Sequence, residues 1–113
     1  MHHWSSERTD FSGEIKEGLI TQPCFSSPYQ NLSFLISFNN LESNLVFNLE
    51  YCRSFYYESG LWFKDDEIVI DVDSEGIVNR SFLVSGKWAR LKLLHFPDTV
   101  YKGEIIVNSF LSN

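Results

Sequence analysis

Between Gln30 and Tyr51 the chain alternates twice. Leu32, Phe34, Ile36 and Phe38 are interleaved with Ser33 and Ser37. After a short polar stretch, Leu45, Phe47, Leu49 and Tyr51 are interleaved with Asn48 and Glu50. Successive side chains of a β-strand point to opposite faces, so each run presents one continuous apolar face. Two such runs joined by a short polar loop predict an antiparallel hairpin. Its apolar face is too large to leave in water, and a second sheet must cover it. The expectation is an all-β, antiparallel two-sheet sandwich.

The rest of the chain fits that frame. Residues 1–12 are polar and irregular and read as a flexible N-terminal arm, leaving 13–113 as a single β-sandwich domain. Residues 14–21 form a weak strand around Gly18, and Pro23 and Pro28 bracket a connection. Residues 53–63 are aromatic, with a turn at Ser59-Gly60, and residues 64–67 read as a charged loop. Residues 68–73 and 77–84 flank the turn Ser74-Glu75-Gly76 and predict a second hairpin. In residues 87–95, Ala89, Leu91 and Leu93 face one side and Arg90 and Lys92 the other. A short helix competes there, but Gly86 and Pro97 leave too little length, and a strand is preferred. A last strand covers 103–110. About eight strands at roughly ten-residue spacing give a sandwich or barrel. One core is expected from Leu32, Phe34, Ile36, Leu45, Phe47, Leu49, Leu91, Leu93, Ile105 and Val107.

Composition narrows the function. Aromatic residues make up 16% of 113 residues, and Ala89 is the sole alanine, which suits pleated surfaces rather than helices. The formal net charge is −6. An acidic chain has no electrostatic footprint for phosphate backbones, so no nucleic-acid partner is expected, and no apolar run is long enough for membrane insertion. There is no apolar signal segment at the start.

Little here carries chemistry. Asp71-Val72-Asp73-Ser74-Glu75-Gly76 opens like a calcium loop, but position twelve is Phe82, where a bidentate carboxylate is required. The carboxylates between Asp65 and Asp73 read as a solvated acidic edge, with Ca²⁺ between loops as the alternative. His2, His3 and His95 do not form a ligand set, and His95 belongs to a turn network. No nucleophile motif, zinc motif or phosphate loop is present, so no catalytic residue, metal or cofactor is expected and the chain is not read as an enzyme.

The informative residues are aromatic. Tyr56, Trp62, Phe63 and Trp4 are the candidates for a binding patch, because exposed aromatic rings anchor protein interfaces or stack on sugars. The alternative is that these rings finish the core, which is favoured for Phe55, Tyr57 and Trp62, with Tyr56 and Phe63 kept as surface candidates. Cys24 and Cys52 form either one disulfide, if the segment between Pro23 and Pro28 folds back, or two buried reduced thiols. The triplets at Asn31 and Asn79 are glycosylation candidates and lean towards a secreted protein.

Four stretches carry a family resemblance. They are Leu19-Ile20-Thr21-Gln22-Pro23-Cys24-Phe25, Asn31-Leu32-Ser33-Phe34 with Leu45-Val46-Phe47, Gly86-Lys87-Trp88-Ala89-Arg90-Leu91, and Gly103-Glu104-Ile105-Ile106-Val107. Together they resemble the later part of MAM domains, the extracellular adhesion modules of receptor phosphatases, meprins and neuropilins, over about residues 19–110. The family's N-terminal cysteine pair and its phenylalanine-glutamate opening are absent, and its central-strand cysteine is not at Asn31. The resemblance implies a jelly-roll-like sandwich and an extracellular, non-enzymatic binding or adhesion module with a protein partner. A carbohydrate-binding sandwich using exposed aromatics is the alternative, as is a cytoplasmic complex subunit with reduced cysteines.

Overall fold

The two alternating runs do not pair with each other. In the computed structural model, which describes residues 5–58 and 60–113, the first run lies on β3 (Asn31–Asn39) and the second on β4 (Leu45–Cys52), in different sheets. Two amphipathic strands can share one apolar face or turn their faces towards each other. Here the connection 40–44 crosses between the sheets, beginning at Asn40 in the left-handed region, φ 56°. Asparagine tolerates that conformation better than most side chains. Each run thereby supplies the cover that the other needs, across the roughly 10 Å that separates packed sheets.

The remaining strands are β1 (Ser5–Glu14), β2 (Cys24–Phe25), β5 (Trp62–Ile70), β6 (Ile77–Leu83), β7 (Trp88–Leu93) and β8 (Glu104–Ser112). One sheet runs β1-β8-β3-β6 and the other β2-β7-β4-β5. Every neighbouring pair is antiparallel. Successive strands change sheet at every step except β4 to β5, which is the strand order of a jelly roll. All ten expected core residues are buried in one cluster, joined by Ile15, Leu19, Cys24, Tyr51, Ile68, Ile70, Ala89 and Leu111.

Four local expectations change. Residues 5–12, read as part of the arm, belong to β1, which pairs with β8 from Ser5 to Glu14. Their polarity suits an edge strand. Of residues 14–21, Glu14 closes β1, and residues 19–21 run beside β7 through Thr21 N to Leu91 O, 3.0 Å, and Leu93 N to Leu19 O, 2.9 Å. The charged residues 64–67 lie inside β5, where an edge strand with a register shift opposite Leu49 and Glu50 keeps them in solvent. The turn 71–76 links β5 to β6 across the sheets rather than closing a hairpin. Asp71 holds it by accepting from Asp73 N at 2.9 Å.

A register shift between Thr9 and Phe11 turns Asp10 inward. Its carboxyl is buried, with Arg8 Nε at 2.7 Å. Burial pushes its pKa above the ordinary value, partly offset by Ser109 and Arg8.

Candidate functional site

The strand phases put the loops 26–30, 53–61 and 84–87 at one end of the sandwich. That end carries the aromatic cluster. Cys24, Tyr51 and Ala89 share one row and point into the core. The next row, Phe25, Trp88, Cys52 and Trp62, therefore points out. Beneath it on the same outer face lie Arg90, Glu50 and Lys64.

Trp88 organises this row. Its ring meets Phe25 edge-on at 5.0 Å and Tyr57 at 4.8 Å. Its indole Nε1 donates to the Phe55 carbonyl at 2.9 Å, which ties that point of the 53–61 loop to β7. Trp62 is held differently. The Arg90 guanidinium lies 4.0 Å from its ring centroid, and Arg90 Nε donates to Glu50 Oε1 at 2.8 Å. A cation over a tryptophan face is attractive, and more so when half-buried as here.

The loop closes over Cys52. A methyl group at Gly60 would collide with Cys52 Sγ and approach Ser54 Cβ to 2.8 Å, so only glycine lets the chain pass so close. At Gly86 an added Cβ would lie 2.6 Å from Tyr51 Cβ, which seals the end from the other side. Cys52 is thus fully buried although it points away from the core.

The exposed apolar side chains of residues 53–63 are Phe55 at 61%, Tyr56 at 67%, Leu61 at 76% and Phe63 at 49% exposure. Arg53 lies 5.5 Å from the Phe63 ring centroid and Lys87 5.9 Å from that of Phe55. The site is an aromatic loop and the start of β5, tied to β7 through Trp88 and rimmed by two cations.

Of the sequence candidates, Tyr56 is exposed on this loop, Phe63 is exposed on the edge strand β5 in the row of Tyr51, and Trp62 is half-buried under Arg90. Trp4 lies outside the described residues. Phe55 and Tyr57, assigned to the core, are not in it: Phe55 is exposed and Tyr57 rests on the outward face of Trp88. Both fall on a loop, where strand phase no longer decides direction. Sequence reasoning missed Phe25, Trp88, Arg90 and Glu50. The signal was present in Trp88, which is in phase with the outward Arg90 and Lys92 rather than with Ala89 and Leu91.

The disulfide does not form; both cysteines are free and buried. Cys24 on β2 is level with Ala89 and Cys52 on β4 with Trp88, and β7 runs between them. They stand two strand spacings apart, about 9.6 Å, on opposite faces of the sheet, whereas a bridge needs Cα atoms within about 7 Å. Burial pushes the Cys24 thiol up to about 12, with the Asp10 carboxylate adding to the rise, so it is not a nucleophile at neutral pH. Asn79 is exposed on β6 and Asn31 half-buried at the start of β3. Among the described residues no cluster of His, Cys, Asp or Glu could hold a metal ion. His95 sits in a network at the opposite end, 3.1 Å from the Tyr101 hydroxyl and 3.0 Å from Glu17 Oε1.

No protein-family model and no curated protein matches the chain. Among solved structures, the chain is similar to the SPBc2 prophage-derived protein YomS. The TM-score is 0.70 at 8% sequence identity, covering 100% of this chain and 96% of that one. At that identity the likeness shows the fold alone.

Proposed function

We propose that this chain is a non-enzymatic binding module whose aromatic segment, residues 53–63, contacts a protein partner. The observation that carries the reading is the exposure of Phe55, Tyr56, Leu61 and Phe63 on a loop and adjoining strand that Trp88 ties to β7 at the Phe55 carbonyl. Aromatic side chains offer large contact area with few rotatable bonds, so they lose little conformational entropy on binding. Aromatic and arginine side chains concentrate binding energy at the centre of interfaces. The MAM-like reading agrees with such a role, but the free cysteines withdraw the disulfide that would favour an extracellular setting.

Sugar stacking is less well supported. It needs an open aromatic face, and the face of Trp62 is under Arg90 while Trp88 is flanked by Phe25 and Tyr57. The test compares the intact chain with a Phe55→Ser/Leu61→Ser variant as immobilised baits in extracts of the producing cell. A glycan array is run in parallel. The proposal expects a defined protein retained by the wild type and lost by the variant at equal melting temperature. Equal retention by both, or glycan binding that the double substitution abolishes, refutes it.

A further inference from the structure

The end opposite the aromatic loop differs from it in charge. Its four connections, 15–23, 40–44, 71–76 and 94–103, carry Glu17, Glu42, Asp71, Asp73, Glu75 and Asp98. Against them stand only Lys16 and Lys102, and Lys102 is already paired with Glu42 at 2.8 Å. The connections at the aromatic end carry Arg53 and Lys87 against Glu58. Among the described residues neither of these cations is paired with a carboxylate; both lie against aromatic rings. The acidic end also exposes apolar side chains, Val72, Phe96 and Val100. The molecule is therefore polar along its strands, with apolar contact surface at both ends and opposite charge around each.

We propose that the aromatic end of one copy docks on the acidic end of a second copy of this chain, head to tail. The proposal rests on the reading of the aromatic loop as a protein-binding surface and names its partner. The argument is complementarity. A body of net charge −6 repels its own kind in most orientations. The orientation that brings Arg53 and Lys87 against Asp73 and Asp98 reverses that locally and buries Phe55 and Leu61 against Phe96 and Val100.

The sheet edges offer no rival route. β2 has two residues, β1 and β5 carry register shifts, and β6 places Arg80 in phase with the inward Phe34. Each of these discourages edge pairing. Because the two contacting surfaces differ, the interface is heterologous and extends into chains unless its rotation closes a ring.

The test uses sedimentation velocity of the intact chain from micromolar to millimolar concentration, together with two double variants and one single variant. Phe55→Ser/Leu61→Ser disables the aromatic end and Asp73→Lys/Asp98→Lys the acidic end. All four positions are exposed, and thermal melting confirms that each variant folds. Phe96→Ser serves as a second, uncharged acidic-end variant. The proposal expects the wild-type mass to rise with concentration past the dimer. Each variant alone stays monomeric, and an equimolar mixture of the two gives a species of twice the monomer mass and nothing larger. A wild type that is monomeric throughout, or that stops at a dimer, overturns head-to-tail docking. So does any variant that still associates alone. If the wild type stays monomeric while Phe55→Ser/Leu61→Ser still loses a captured protein in the extract experiment, the aromatic loop is a binding surface and only the identity of its partner falls.

Discussion

Phe47 and Phe55 are the same side chain in opposite surroundings, and truncating each to alanine separates core from surface. Phe47 is fully buried on β4, level with Ile68 on one side and Leu93 on the other. β4 has strands on both sides, and the facing sheet closes the third, so no loop can collapse into the space that a lost ring leaves. The cost therefore includes the cavity as well as the transfer of the ring, about 3–5 kcal/mol. A domain of this size is stable by only about 5–15 kcal/mol. At about 4 °C per kcal/mol, Phe47→Ala should lower Tm by about 12–20 °C. Phe55 is exposed, with Tyr56 in a T-shaped contact and the Lys87 ammonium over its ring at 5.9 Å from the centroid. Phe55→Ala should change stability by no more than about 0.5 kcal/mol. Calorimetric melts at matched concentration decide the matter. Equal shifts for the two variants would refute the placement of this aromatic loop outside the core.

Alkylation without reductant should modify neither cysteine quickly in the native protein and both after denaturation, read by intact mass. Gly60→Ala should speed the reaction of Cys52 but not of Cys24, because only Cys52 lies under the 53–61 loop. Asp10→Asn tests the buried carboxyl. A pKa raised by burial means that the fold favours the protonated form, so the contribution of this group is present below its ordinary pKa and is lost as pH rises through the raised value. The variant should therefore be at least as stable as wild type at pH 7 and lose that advantage as the pH is lowered towards 3.8, followed by melting across pH. Arg8 stays solvated when the charge is removed, since its side chain is 41% exposed. Arg80→Val would remove the charge between Val78 and Phe82 and leave an unbroken apolar inward row on an edge strand, so light scattering on concentration should rise.

The core was legible because it follows period two within each run: every residue assigned to it from β3, β4, β7 and β8 is buried. Partnership was not. Alternation reports which way a side chain points relative to its own strand and is silent about which strand lies alongside. Loops of five or six residues, such as 40–44 and 71–76, can close a hairpin or cross between sheets equally well. The sequence also could not show that Asp10 turns inward, because a single register shift reverses the phase of β1 locally. Trp88 was legible in principle by its phase with Arg90, whereas the resemblance of Gly86-Lys87-Trp88 to a family strand carries no information on which way the indole points. The free cysteines depended on strand order, which no spacing in the chain encodes.

The aromatic surplus is what the core does not account for. Of the eighteen aromatic side chains in the chain, Phe34, Phe47 and Tyr51 are the aromatic members of its buried cluster, which is otherwise aliphatic apart from Cys24. Phe11, Tyr29, Phe38, Phe82 and Tyr101 pack against its margin. A sandwich of this size needs no more to fill the space between its sheets. Phe25, Phe55, Tyr56, Tyr57, Trp62, Phe63 and Trp88 instead gather at one end, on two strand rows and one loop, where they raise the exposed apolar surface rather than reduce it. Scattered exposed apolar residues need no explanation, but a contiguous group at one end marks contact with something else. Arg90 holds Trp62, and Trp88 holds Phe25, Tyr57 and the Phe55 carbonyl, from the outer face of the sheet, so substitutions at the exposed Phe55, Tyr56 and Leu61 should alter what the end binds without altering the fold.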